Sequence, residues 1–419
     1  MNTSYCLRGS IVHTPLFGIM ECIPDSYIVV INGRTAGLFS SLPLEYTDLP
    51  LYDYTGKIIT PAFCDMHLHA PQYPMLGLGM DLQLLEWLNT YTFVTEQKFK
   101  DSEFARKVYS ALAKKLVECG TTRVCMFSSI HYDATMILME ELENAGISGY
   151  VGKVNMDRNS PDYLLETTQE SIEQTRRWIE ESKKRFKHIS PIITPRFTPS
   201  CTDELMEALG KFSQEYDLPI QSHLSENTDE CAWVRELCPD CSQYWESYEK
   251  RGLFNSRTIM AHCVYSNFAE REAMRKHGVW VAHCPDSNSN LSSGIAPVRK
   301  MLREGLSVAL GSDIAGGAEI SMLKVVGQAI RVSKLRYLKS DKAEDFLTVA
   351  EALYLATSAG QEFFGEKAGF AVGNEFHALV FDDSALPPTD IINLQERMER
   401  LIYLADSSAI VDRFACKKL

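Results

Sequence analysis

His67 and His69 stand two residues apart, and His223 and His262 fall at the ends of later apolar segments of the same chain. On an extended segment, side chains two apart point to one face, so His67 and His69 can hold one ion between them. Imidazole nitrogen suits zinc, and Asp313, just past another apolar run, can add a carboxylate oxygen. A His-x-His by itself is a weak signal, more often a coincidence of structure than a site. Joined by His223, His262 and Asp313 at successive strand ends, it points to a single metal centre. An ion held in this way lowers the pKa of water toward neutrality, which is the chemistry of a metal-assisted hydrolase.

Other residues of reactive type read differently. Cys238 and Cys241 have the spacing of a thiolate pair, but no second pair stands at a matching distance. The chain also lacks the His-x-Glu that a cytidine-deaminase type of zinc site places before its Pro-Cys-x-x-Cys. Cys238 and Cys241 are therefore read as free thiols near a helix end. His283 is read as packing or hydrogen-bonding beside the ligands, His131 as a loop residue near the mouth, and His13, His188, His277 and His377 as ordinary. Trp87, Tyr91 and Phe93 have helical spacing, which favours core packing over substrate contact, with a lid as the alternative.

The elements that must position these residues follow from periodicity. Strand-like runs occur at Ile58 to His67, Thr122 to Ser128, Gly149 to Asn155, Ile189 to Phe197, Ile220 to His223, Thr258 to His262, Val279 to His283 and Val308 to Ser312. Helical stretches alternate with them. Phe104, Val108, Leu112 and Leu116 fall on one face, with Gly120 placed as a cap. Asn267 with Glu270, and Asp341 with Glu344, have capping-box spacing. Eight strands each followed by a helix predict an α/β fold built on a (β/α)8 TIM-like barrel, whose site residues gather at the C-terminal strand ends. Outside it, Tyr5 to Thr14 and Tyr27 to Phe39 read as strands with an Asn32-Gly33 turn between or within them, and Gly369 to Asp382 as a returning strand. The division expected is a small β-sandwich from residues 1–60 and 369–419 and a metal-dependent catalytic barrel over 61–368.

Composition excludes other classes. A chain of 419 residues, 45% hydrophobic, can bury a large core. Its 42 basic and 55 acidic residues leave a formal charge of -13 and no basic stripe, which argues against a nucleic-acid polymer as partner. The first residues lack a basic stretch followed by an apolar one, and no apolar run is long enough to span a bilayer. With twelve cysteines read as reduced, the cytoplasm is the expected compartment and no membrane partner is expected.

The segment Pro61-Ala62-Phe63-Cys64-Asp65-Met66-His67-Leu68-His69-Ala70-Pro71-Gln72 resembles the opening motif of the guanine deaminases of the amidohydrolase superfamily. Thr194-Pro195-Arg196-Phe197, Ser222 to Asn227, Ala261-His262-Cys263, Ala282 to Pro285, Gly311 to Gly317 and Arg397 to Tyr403 resemble that family's later motifs in order, so the resemblance covers essentially the whole chain. The His-x-His and the late Asp are shared across the superfamily; His69-Ala70-Pro71-Gln72 and Arg196-Phe197 are narrower. Ala62 replaces the family's usual Gly, and His377 stands where many members have Asp.

The resemblance implies one Zn2+ per chain, held by His67, His69, His223 and Asp313, and hydrolytic deamination of guanine to xanthine and ammonia. Where two-metal relatives carry a modified Lys on the fourth strand, this chain has Arg196, a poor metal ligand but a good donor fork for a carbonyl. Glu226, three residues after His223, would carry a proton to a ring nitrogen and then to the leaving amine. His262 would hydrogen-bond the attacking water, and Asp313 would accept its proton. The resemblance further implies Arg196 for the substrate carbonyl, Gln72 for the ring edge, Phe197 for stacking or backbone contact, and a homodimer. The competing readings are a related aminohydrolase acting on another purine, a pterin or a triazine, and a non-catalytic scaffold of the same fold. The scaffold reading predicts missing ligands.

Overall fold

The computed structural model describes residues 3–390 and 393–419; residues 1–2 and 391–392, parts of the expected small unit, lie outside the described residues. Both ends of the chain enter one seven-stranded sheet. Its order is Lys417–Lys418, Ile410–Ala415, His377–Phe381, Leu51–Pro61, Tyr5–Leu16, Ile19–Ile31, Arg34–Phe39. Tyr5–Leu16 runs parallel to Leu51–Pro61, and the other neighbours are antiparallel. Asn32 and Gly33 sit at φ 51° and 74°, the left-handed pair that a tight hairpin turn demands. Tyr5, Leu7, Val30, Phe376 and Phe414 are buried together against this sheet.

The body of the chain is parallel α/β. One four-stranded parallel sheet contains Phe63–His69, Thr121–Phe127, Ser148–Gly152 and Ile189–Pro191; another contains Ile220–Leu224, Thr258–His262, Trp280–His283 and Val308–Leu310. Short continuations at Val154–Asn155 and Thr194–Pro195 pair with each other. Backbone hydrogen bonds join the two sheets at both edges: Gln221 N–H to Ile193 O (2.9 Å) on one side, and Asp313 N–H to His67 O (2.8 Å) on the other. At the second junction a Cβ on Gly311 would lie 2.8 Å from the His67 Cβ, so the glycine permits the last strand to press against the first.

Helices cover these strands because one face of each is apolar. Helix Ser102–Glu118 starts where the Asp101 side chain accepts from the Glu103 and Phe104 amides, and it buries Ala105, Tyr109, Leu112 and Leu116. It stops at Gly120, whose φ of 83° turns the chain into the next strand. Truncating Leu112 to Ala in this core would cost about 2–5 kcal/mol.

Several expected elements are corrected. The run Ile58 to His67 is two strands: Leu51–Pro61 belongs to the small sheet, and Phe63–His69 begins the parallel body after Ala62. Tyr27 to Phe39 holds the Asn32-Gly33 turn within it, as one of the two expected placements had it, and joins the strands Ile19–Ile31 and Arg34–Phe39. The run Gly369 to Asp382 forms a strand only over His377–Phe381; Asn374 before it uses its side chain to hold the Lys367 and Gly369 backbone. Asp341 and Glu344 start no helix. Asp341 and Lys342 lie at φ 49° and 65° just past helix Met322–Lys339, and Glu344 is committed to Arg336 at 2.8 Å. Asn267 does cap helix Phe268–His277, but the Glu270 carboxylate, instead of reaching back, accepts from Ser225 Oγ at 3.0 Å.

Candidate metal and active site

His67 and His69 close the first parallel strand, His223 lies near the end of the fifth, His262 ends the sixth, and Asp313 follows the eighth. The sequence therefore delivers all five to one end of the sheets, as strand-end placement requires. His69 Nε2 and His223 Nε2 are 3.2 Å apart, His67 Nε2 is 3.2 Å from Asp313 Oδ1, and His69 Nε2 is 3.5 Å from that oxygen. Two donors about 2.0–2.1 Å from a tetrahedral ion stand ~3.3 Å apart, so this spacing fits a shared zinc-like ion. The backbone around the cluster is held in unusual conformations, with Ser225, His262, Cys263 and Asp313 all at positive φ.

The donor chemistry fits as well. Burial first, and then the neighbouring imidazoles and Arg196, press His69 well below its ordinary pKa; burial and the other histidines do the same for His223. Neutral imidazole is the form that ligates. Asp313 is held low despite its burial, because His67, His262 and His69 face it. His223 Nδ1 donates to the Arg196 carbonyl at 2.6 Å, which leaves Nε2 to face the centre. His67 Nε2 is buried with no hydrogen-bond partner among the described residues, an arrangement a cation would repay. Asp65 clips the site from below, accepting from the Ser312 amide at 2.9 Å and from the Ser312 hydroxyl.

Glu226 and His262 flank the cluster. Glu226 Oε2 lies 3.4 Å from His262 Nε2, and Ser293 Oγ donates to Glu226 Oε1 at 3.0 Å. Burial raises the Glu226 pKa to about 7, with Asp313 and Glu230 adding to the rise while His262 and Ser293 oppose it. Burial alone would lower His262, but Glu226 and Asp313 together lift it above its ordinary value. Its Nδ1 meets the Asn288 side-chain oxygen at 2.8 Å, so Nε2 points at Glu226.

These groups open into a cavity also lined by Gln72, Arg196, Phe197, Leu84, Trp87 and Leu88. Every residue singled out for the site thus meets in one place. The aromatic run divides: Trp87 lines the cavity, and Phe93 lies under the Arg196 guanidinium at 5.4 Å. His283 is buried with Nδ1 unpartnered among the described residues and lines no part of the cavity, and His131 precedes helix Tyr132–Asn144. Cys238 ends helix Thr228–Leu237, and it and Cys241 are free thiols.

Sequence reasoning missed Glu96. It is 1% exposed, its Oε2 accepts from Arg196 Nη1 at 2.6 Å, and its Oε1 accepts from Gln72 Nε2 at 2.9 Å. The only available signal was a carboxylate at the end of an otherwise aromatic helical stretch.

A model of the amidohydrolase family matches residues 58–410. A guanine deaminase of Dictyostelium discoideum is 38% identical over 95% of this chain and 94% of its own length, and that of Mus musculus is 36% identical over 96% and 93%. A solved guanine deaminase of C. acetobutylicum, with guanine bound in its active site, superposes with a TM-score of 0.97 at 46% identity, covering 99% of this chain and all of the other. The cluster of histidines and Asp313 thus stands in a chain that belongs to the amidohydrolase family.

Proposed function

We propose that this protein hydrolyses guanine to xanthine and ammonia, using one zinc ion held by His67, His69, His223 and Asp313. The observation that carries the reading is the juxtaposition of Glu226, with its pKa raised to about 7, and the Gln72 and Arg196 side chains in one cavity beside that cluster. The likeness to guanine deaminases along nearly the whole chain supports the choice of substrate. The ion supplies Lewis acidity that makes water nucleophilic near neutral pH. Asp313 accepts a proton from the attacking water. Glu226 gives its proton to a ring nitrogen, takes up the proton that the added hydroxyl loses as the new carbonyl forms and passes it to the leaving amine, and regains its own from the proton held by Asp313, a task for a carboxyl that is still protonated near neutrality. His262 hydrogen-bonds the water and the developing charge. Arg196 addresses the purine carbonyl, Gln72 the ring edge, and Phe197 the ring or its backbone contacts.

The fold that serves this chemistry is a closed (β/α)8 barrel over 61–368, supported by the backbone hydrogen bonds that join the two parallel sheets at both edges. We place residues 1–60 and 369–419 in a small β-rich unit beside it, whose described strands make the one seven-stranded sheet rather than two sheets packed face to face. We take the enzyme to be a cytoplasmic homodimer; all twelve cysteines are free, as in a reducing compartment, and no helix of the described residues is long and apolar enough to cross a membrane. Guanine added to zinc-loaded protein, with adenine, cytosine and 8-oxoguanine in parallel, tests the assignment by ultraviolet absorbance. Turnover confined to guanine supports it, and turnover of another amino-heterocycle in its place would reassign the substrate.

A further inference from the structure

Glu96 is a fully buried carboxylate outside the metal cluster, and both of its oxygens are used. Oε1 accepts from Gln72 Nε2 at 2.9 Å and Oε2 from Arg196 Nη1 at 2.6 Å. Gln72 is pinned a second time, because its Oε1 accepts from the Ala315 backbone amide at 3.1 Å, two residues past Asp313. These partners fix the amide's orientation. Reversed, its NH2 would oppose the Ala315 N–H and its oxygen would oppose the Glu96 carboxylate, two repulsive contacts in a buried site. With one Nε2 hydrogen committed to Glu96, the other is the donor left for a ligand. Arg196, 3% exposed and stacked over Phe93, is likewise balanced and aimed by Glu96; without it a buried guanidinium would stand uncompensated.

We propose that Glu96 is a positioning residue that makes the recognition face of the cavity donor-only, so that the site selects substrates presenting a carbonyl to Arg196 and an acceptor to Gln72. The role rests on the guanine reading. It predicts that an amino group in place of the carbonyl meets a donor and is rejected, and that a hydrogen there leaves the Arg196 donors unmatched. Glu96 touches neither the metal cluster nor Glu226 by any hydrogen bond or ion pair in the structure, so its effect is on which substrate is held.

The test compares guanine, 2-aminopurine and 2,6-diaminopurine, all of which carry the amino group to be removed, on the zinc-loaded full chain and its Glu96→Gln variant. Expected is a fall of about 100-fold or more in kcat/KM for guanine and a far smaller fall for 2-aminopurine, so that the ratio between them collapses, with zinc content close to wild type and a thermal midpoint lowered by the loss of the buried counter-charge to Arg196. Glu96→Asp keeps the charge beside Arg196 but is one methylene short of spanning both partners; it should fold and shift the ratio in the same direction by less. Equal losses on all three substrates, or no loss on guanine, would overturn the positioning role while leaving the guanine reading intact. A wild-type protein that fails to deaminate guanine would overturn both.

Discussion

Glu226 and His262 face each other across the cavity at 3.4 Å, and each moves the other's protonation: the carboxylate lifts the imidazole, and the imidazole restrains a carboxyl that burial drives to about 7. Two groups so coupled titrate as a pair. If Glu226 begins the reaction as the acid, its proton is present below about 7 and lost above it. The value of kcat/KM should therefore fall as pH rises through about 7, and a profile that keeps rising through that region would contradict the assignment.

Replacing Glu226 by Gln keeps the shape and removes the proton. Turnover should fall by about 100- to 10,000-fold with bound metal unchanged, as read by initial rates beside metal analysis of the same sample. A variant that loses metal in parallel would place Glu226 among the ligands instead.

Ser293 tunes the same group. Its hydroxyl donates to Glu226 Oε1 at 3.0 Å and favours the ionised form, so it lowers the pKa. Ser293→Ala should raise the Glu226 pKa and move the alkaline limb of the activity profile to higher pH. A shift to lower pH would show that the hydrogen bond acts on the neutral form.

Glu270 lies beyond the chemistry and offers a stability test. Burial raises its pKa to about 7 from an unfolded value of 4.5, with Ser225 partly opposing the rise. Between those values the folded state holds a proton that the unfolded state has released, so this group's contribution is fully present below about 4.5 and is lost as pH rises through about 7. In Glu270→Gln the loss should vanish. The stability of wild type relative to the variant should fall with rising pH over that window, by on the order of 3 kcal/mol, measured by urea unfolding at a series of pH values.

How much of this was legible in the sequence depended on whether a residue's neighbours in space were also placed by a regular pattern. His67, His69, His223, His262 and Asp313 were legible because each ends an apolar run, and parallel strands bring such ends together whatever lies between. Glu96 was not, because it sits on a helical insertion between strands whose fold is set by packing over the cavity, and its partners Gln72 and Arg196 are 24 and 100 residues away. Boundaries failed where a continuous apolar run changed sheets, as at Ala62, since burial on both sides of the junction leaves no polar break. The Asp341 and Glu344 spacing misled because Arg336, on the preceding helix, claims Glu344 before a new helix can use it.

Removing the ion tests the cluster itself. A chelator should abolish activity and lower the thermal midpoint, since bound metal stabilises only the folded state, and one equivalent of zinc per chain should restore both. Restoration that needs two equivalents would contradict a single centre.

The central claim is hydrolytic removal of the guanine amino group, and isotope incorporation tests it most directly. Guanine incubated with zinc-loaded protein in ¹⁸O-labelled water should give xanthine carrying one ¹⁸O at the carbon that lost its nitrogen, with one ammonia released per xanthine, as read by mass spectrometry. Unchanged guanine in the presence of fully metallated protein would contradict the account.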